Sequence, residues 1–364
     1  MLESDTAARF FLSSNSPQGY LACFGKLYNA KEDWRAYILS GGIDAVKSQL
    51  LKKTGNALEA AGERTEYIHS CLDASEIVAV SFPCIRVCII DGTPPNNLAP
   101  EYPGITESLV NLGDYLDEEK LSAHRENIML FSSRINSSSD RAYRFLTAAS
   151  SLLSDTCRLA LECADISKLE SYAAHISRHE FPQKDCQGVE TLRFITAITP
   201  DGLINLFDSV KSKYKRIYEI EDEFGIGKLF LNKLRCAALS AGYDVISCCC
   251  PMFPDGKPEH LLIPSLSLAL ITSGHNHPFN GEGTRHIHMR RFIDREAIKL
   301  KRPRISFNRK ASRELIDQSV LLLNDARVSR EMIKSCYLEA TDLEAIDKKA
   351  DEFIEKLLLV RGKR

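Results

Sequence analysis

The chain has no apolar run approaching the roughly 18 residues needed to cross a bilayer, so no membrane-spanning helix is expected. Its first residues, Met1-Leu2-Glu3-Ser4-Asp5, lack a basic region followed by an apolar stretch, so no export signal is expected. Net charge is nearly absent. The 47 Lys and Arg stand against 49 Asp and Glu, a formal −2. No global field therefore draws the chain to nucleic acid or to an anionic membrane. The 12 cysteines include no C-x-x-C pair. Without an export signal they read as reduced thiols of a cytoplasmic protein, mostly small buried hydrophobes. The run Cys248-Cys249-Cys250 cannot point one way from a strand, so this triplet alone is not a metal site. No Ser or Cys nucleophile with a base is discernible, and no catalytic residue is assigned.

What is present is a long internal repeat. The segment Phe10–Phe24 matches Arg193–Phe207, placing Pro17 and Gly19 on Pro200 and Gly202 at an offset of 183. Lys47 falls on Lys228 at an offset of 181, and the apolar run Phe82–Ile90 falls on Ile263–Ile271. Leu161-Glu162-Cys163-Ala164-Asp165 matches Leu338-Glu339-Ala340-Thr341-Asp342 at an offset of 177. A period this long is a duplicated domain, because solenoid units run to roughly 20–50 residues. The chain is 44% hydrophobic and 26% charged, enough apolar material for two cores. We expect domains at residues 1–180 and 188–364, joined within Ser177–Glu190, which breaks the surrounding periodicity.

Each half is expected to be α/β. An amphipathic helix is predicted near Gly19–Leu27 and near Gly202–Lys211. A strand follows at Ala36–Leu39 and Arg216–Ile220, then a glycine-bearing loop, then a helix at Lys47–Ala61 and Lys228–Ala241. Gly62 and Gly242 sit where a helix C′ glycine belongs. Further strands are predicted at Thr65–His69 and Asp244–Cys249, and at Ile85–Ile90 and Leu266–Ile271. Strands this apolar suggest a mostly parallel sheet covered by helices. Asp117–Ala164 and Asp294–Glu339 read as long helical extensions, forming an antiparallel arm or packing across the sheet.

A strand, a glycine loop and a Lys opening a helix form the layout of a phosphate-binding P-loop, G-x-x-x-x-G-K-[ST]. Such a loop curls backbone N–H groups around an anion at a helix N-terminus. Its Lys reaches the outer phosphates, its Ser or Thr hydroxyl holds Mg²⁺, and a carboxylate after a neighbouring strand supports the metal. In the first half Gly41, Gly42, Lys47 and Ser48 fill this pattern, and Asp91 follows an apolar strand as the metal-side carboxylate. Val46 replaces the glycine before Lys, and a β-branched residue at positive φ is an outlier. Asp44 adds a negative charge within the loop. In the second half Gly225, Gly227 and Lys228 are kept. Asp222 stands at the first glycine position between Glu221 and Glu223, Leu229 has no hydroxyl, and Thr272 matches Asp91.

These residues resemble a family of bacterial ATPase-like proteins built from two tandem P-loop domains. The resemblance is carried by Asn15–Gly19, Gly41–Ser48, Asp91-Gly92-Thr93-Pro94-Pro95, Tyr102-Pro103-Gly104, Val110–Asp114 and Arg141–Leu146. It covers nearly the whole chain and implies Mg-ATP binding or ATPase activity. The departures at Val46, Asp222, Leu229 and Thr272 fall on the residues that would carry that activity. They predict nucleotide bound in the first half if at all, with hydrolysis weak or absent. The competing expectation is an inactive scaffold of P-loop ancestry.

Two other groupings stand out. His275, His277, His286 and His288 form two His-x-His pairs that could chelate a metal from a strand, or could lie in a polar surface loop. Residues 285–313 carry 11 Lys and Arg against Asp294 and Glu296. This segment, or the helical arms, could meet a protein partner. Only Phe292 and Phe307 interleave it, which weighs against stacking on nucleic-acid bases.

Overall fold

The computed structural model describes residues 7–274, 278–279, 281 and 283–361, with residues 255–257 described in backbone only. The first half runs β1 (Ala8–Phe11), β2 (Ser13–Ser16), β3 (Gly19–Ala22), β4 (Arg35–Ser40), α1 (Asp44–Ala60), β5 (Glu66–His69), β6 (Ile77–Phe82), β7 (Val87–Asp91) and β8 (Glu107–Asn111). It continues through α2 (Glu118–Ala123), α3 (Arg125–Leu161) and α4 (Ile166–Glu180). The second half runs β9 (Glu190–Arg193), β10 (Thr196–Thr199), β11 (Gly202–Asn205), α5 (Phe207–Lys213), β12 (Arg216–Glu221), α6 (Gly227–Ser240), β13 (Val245–Cys250), β14 (Phe253–Ile263), β15 (Leu268–Ser273) and β16 (Arg285–His288). It ends in α7 (Arg295–Glu339) and α8 (Leu343–Arg361).

The chain is α/β, with two six-stranded mixed sheets of the same strand order. The first is β1-β5-β6-β7-β4-β8, and the second, read from its far edge, is β9-β13-β14-β15-β12-β16. In each, the first two strands pair in parallel, as do the last three. β6 and β14 run antiparallel to both their neighbours. These two strands were not predicted. The run Phe82–Ile90 reads as one apolar stretch, but the chain reverses within it at Pro83–Arg86, where Arg86 takes φ 52°.

The helices predicted near Gly19 and Gly202 are not helices at their starts. Gly19 and Gly202 open β3 and β11, which pair with β2 and β10 as hairpins. Pro17-Gln18-Gly19 and Pro200-Asp201-Gly202 are the turns, and the glycines take φ 107° and 100°, a region that side chains disfavour. Gly62 and Gly242 are C′ residues as expected, at φ 88° and 86°. In each case the following residue donates five positions back, Glu63 N to Leu58 O and Tyr243 N to Ala238 O, closing the helix in a Schellman turn.

The layers are helix, sheet, sheet, helix. The inner faces of the two sheets share one core, in which Ala36, Ile68, Cys88 and Ile90 meet Cys248, Leu262, Ala269 and Ile271. The outer faces are covered crosswise. Leu169, Ala173 and Ile176 of α4, at the end of the first repeat, pack on α6 and the second sheet. Ile346, Ala350, Phe353 and Leu357 of α8, at the end of the second repeat, pack on α1 and the first sheet. The long α3 and α7 make the exchange as an antiparallel pair. Asp117 N bonds Ala340 O at one end and Asp294 N bonds Cys163 O at the other. The N-cap carboxylates of Asp117, Asp165 and Asp294 start α2, α4 and α7 by accepting first-turn N–H groups.

Candidate phosphate loops and a carboxylate–histidine cluster

The first loop is short. β4 ends at Ser40 and α1 begins at Asp44, leaving Gly41, Gly42 and Ile43 between them. Both glycines take φ 67°. A Cβ on Gly41 would lie 2.5 Å from the Gly113 nitrogen, so this glycine serves the close passage of the turn after β8. Val46 has no positive φ. It lies in the first turn of α1 and is buried in the core beneath the first sheet. Because the helix starts early, Lys47 N already bonds back to Ile43 O at 3.1 Å.

Lys47 points into the protein and is 1% exposed. Its Nζ lies 2.9 Å from each Asp91 carboxylate oxygen and 3.2 Å from Asp44 Oδ1, and it donates to Thr93 Oγ1. Asp91 also accepts from Thr93 N at 3.0 Å and Thr93 Oγ1 at 2.7 Å. Burial pushes the Asp91 carboxyl above the usual range, the Lys47 charge pulls it down, and Asp44 pushes it up again. Ser48 Oγ accepts from Ile77 N at 2.8 Å, which ties it to the start of β6. The fold thus joins Lys47 to Asp91 and turns Ser48 Oγ toward the start of β6.

The second loop is a complete anion nest, and its occupant is a side chain of the protein. Asp222 Oδ1 accepts from Phe224 N at 3.1 Å, Gly225 N at 2.9 Å and Ile226 N at 3.3 Å, and Oδ2 accepts from Gly227 N at 2.6 Å. Gly225 takes φ 81°, and a Cβ on Gly227 would lie 2.9 Å from Asp222 Oδ2. Enclosure raises the Asp222 carboxyl against the pull of these four N–H groups. Lys228 Nζ lies 5.4 Å from the centre of the Phe253 ring. Leu229 is half-buried against the second core. Thr272 donates from its backbone to His260 Nδ1 and from Oγ1 to Glu259 O. The arm also reaches this loop, through Cys157 Sγ to Gly225 O at 3.4 Å and Arg309 Nη1 to Glu223 at 3.2 Å.

His275 and His277 lie outside the described residues. His286 and His288 both meet Glu221, and His286 also meets Glu219, pairings that the sequence did not single out. His286 Nδ1 is 2.9 Å from Glu221 Oε1 and 3.6 Å from Glu219 Oε2, and His288 Nδ1 is 2.6 Å from Glu221 Oε2. The signal was present as Glu-x-Glu against His-x-His, but it needed β16 to be placed beside β12.

In the basic segment 285–313 part of the charge is answered. Arg304 makes two bonds to Asp155, Lys301 pairs with Glu162, and Arg309 pairs with Glu223. No described helix is long and apolar enough to cross a membrane. No protein-family model, curated protein or solved structure matches the chain.

Proposed function

We propose that this chain is a non-catalytic scaffold of P-loop ancestry, built from two tandem P-loop-like units, with the second nest filled by its own Asp222 and the Lys of the first paired internally. The observation that carries this reading is Asp222, whose carboxylate takes the four backbone N–H groups that a P-loop offers to phosphate. A phosphate entering that nest must displace an internal anion already held there. In the first half Lys47 is neutralised by Asp91 and Asp44, and Ser48 Oγ accepts from Ile77 N. The scaffold would act through surfaces on the α3–α7 arm or the 285–313 segment, toward a protein partner.

Calorimetric titration with Mg-ATP tests this. Wild type is expected to give no binding heat. Asp222→Gly with Leu229→Ser restores G-x-x-x-x-G-K-S, empties the nest and returns a metal-side hydroxyl. That variant is expected to bind Mg-ATP. Binding by wild type would overturn the scaffold reading.

A second reading keeps Mg-ATP in the first half, and the adjacency of Lys47 and Asp91 favours it. It requires Lys47 to leave Asp91 for the phosphates, with Gly41 and Gly42 flanking them. Under it, wild type binds Mg-ATP and Lys47→Ala does not.

A further inference from the structure

We propose that Glu219, Glu221, His286 and His288 form a binding site for one divalent transition-metal ion of the zinc class. The site depends on neither phosphate loop.

β12 and β16 are adjacent and parallel, with Glu219 opposite His286 and Glu221 opposite His288. Residues two apart on a strand share a face. The intervening Ile220 and Ile287, and Tyr218 before Glu219, are buried in the core on the opposite face. The four donors therefore stand as a two-by-two grid on one face. Oxygens of Glu219 and Glu221 and a ring nitrogen of His286 all lie within 4.8 Å of one another. The 3.6 Å from His286 Nδ1 to Glu219 Oε2 matches the ligand–ligand edge of a tetrahedral site with bonds of about 2.0–2.2 Å, and the hydrogen-bond contacts of 2.9 and 2.6 Å from Glu221 to His286 and His288 would open slightly around an ion. Mixed imidazole and carboxylate donors suit a borderline ion such as Zn²⁺.

The outer atoms of the inner ligands are also held. Ser273 Oγ donates to Glu219 Oε1 at 2.6 Å, leaving Oε2 toward His286. His286 Nε2 is 3.2 Å from Thr284 Oγ1. Without metal Nδ1 carries the proton it donates to Glu221; metal binding would displace that proton and leave the ring proton on Nε2, toward Thr284, and such outer partners fix ligand orientation. A plain ion-pair ladder explains Glu221 between two histidines. Glu219, a carboxylate 6% exposed, turns toward the same point, with Oε2 3.6 Å from His286 Nδ1. Two carboxylates on one strand face repel, and a cation at this point, a protonated His286 or a metal ion, relieves that repulsion.

The duplication supplies an internal control. Along β4 and β8 the matching register pairs are Ile38 with Leu109 and Ser40 with Asn111. The first half keeps the same backbone without a metal-binding donor set. The grid is therefore not required by the fold. His286, His288 and Glu221 are all more than 40% exposed in their side chains, which leaves coordination positions open to solvent.

The test uses the full chain, stripped with a chelator and titrated with Zn²⁺ against a chromophoric competitor. The same titration is run on Glu221→Gln and His286→Ala, at exposed positions where folding should persist. The 12 cysteines are common to all three proteins, so their contribution cancels. We expect one equivalent bound by wild type and an affinity at least about ten-fold weaker in each variant. Equal binding by wild type and both variants overturns the site. Cobalt(II) loading of wild type gives a second readout that needs no variant. Weak visible bands without an intense thiolate charge-transfer band support the assigned donors, and an intense thiolate band places the metal on cysteine and overturns them.

Discussion

Phe11 and Phe194 hold the same position in the two repeats and exchange both backbone hydrogen bonds, Phe11 N to Phe194 O at 2.8 Å and Phe194 N to Phe11 O at 2.9 Å. A residue bonded reciprocally to its own repeat equivalent marks a local two-fold axis. The arm obeys the same axis. Asp117 N to Ala340 O and Asp294 N to Cys163 O are equivalent bonds, as are Asp165 N to Phe292 O and Asp342 N to Tyr115 O. The chain is thus arranged like an isologous dimer made continuous.

The shared core between the sheets makes the two halves unfold together. The single Trp, Trp34, packs against that core from the first half. We expect Trp34 fluorescence and far-UV ellipticity to give coincident denaturant transitions. An early ellipticity loss with Trp34 unchanged would mean that the second half melts alone.

The crossed helices predict a remote effect. Phe353, in the last helix, sets its ring edge against Tyr37 of β4, with centroids 4.6 Å apart at 81°. Phe353→Ala should cost about 3–5 kcal/mol, the usual range for a buried aromatic. The first sheet should loosen, with hydrogen exchange in β4 and α1 rising before that in β12 and α6. Faster exchange confined to α7 and α8 would show that α8 does not support the first sheet.

Lys47→Met should also destabilise the protein, by about 3–5 kcal/mol, because it strands Asp91 beside Asp44 without a cation. Met retains most of the length, so packing changes little. The pH dependence has a definite sign. Burial raises the Asp91 carboxyl, and removing Lys47 removes the pull that opposes it. A folded-state value above the unfolded one favours the fold at low pH and loses that contribution as pH rises through it. The gap between wild type and Lys47→Met should therefore widen from mild acid to neutral pH in paired denaturant titrations. A Lys47→Met variant as stable as wild type would show that Lys47 is not holding Asp91.

The repeat was legible because Pro17/Pro200, Gly19/Gly202 and Lys47/Lys228 keep their chemistry and spacing. The sequence also marked Asp222 as the obstacle in the second loop. It did not show that the obstacle is the occupant, since that depends on the loop curling its N–H groups onto one carboxylate. Val46 was weighed at a positive φ that α1 avoids by starting three residues before Lys47. The crossing of α4 and α8 was hidden for another reason. Amphipathic spacing shows that a helix has a buried face, but not which sheet receives it. The Glu219–His286 pairing was hidden likewise, since strand order in space is not chain order.

The arm should loosen in acid, and one residue should account for much of the effect. Asp155 of α3 accepts from Asn308 Nδ2 at 2.8 Å and from Arg304 Nε and Nη2 at 2.8 and 2.9 Å, bridging to α7. The Asn308 bond lowers its carboxyl most, burial opposes this, and bonds from Arg158 and Arg304 lower it further. Glu162 is lowered chiefly by its bond from Lys301 of α7. A depressed folded-state value gives stability above the ordinary carboxylate value and loses it as pH falls through the folded value. The window therefore lies below about pH 4. Asp155→Asn carries no charge to titrate. Its thermal midpoint should lie below that of wild type at pH 7, and the difference should close as pH falls through the acid range. A difference that stays constant with pH would mean that the Asp155 contacts hold the arm by shape and hydrogen bonding, with no contribution from its charge.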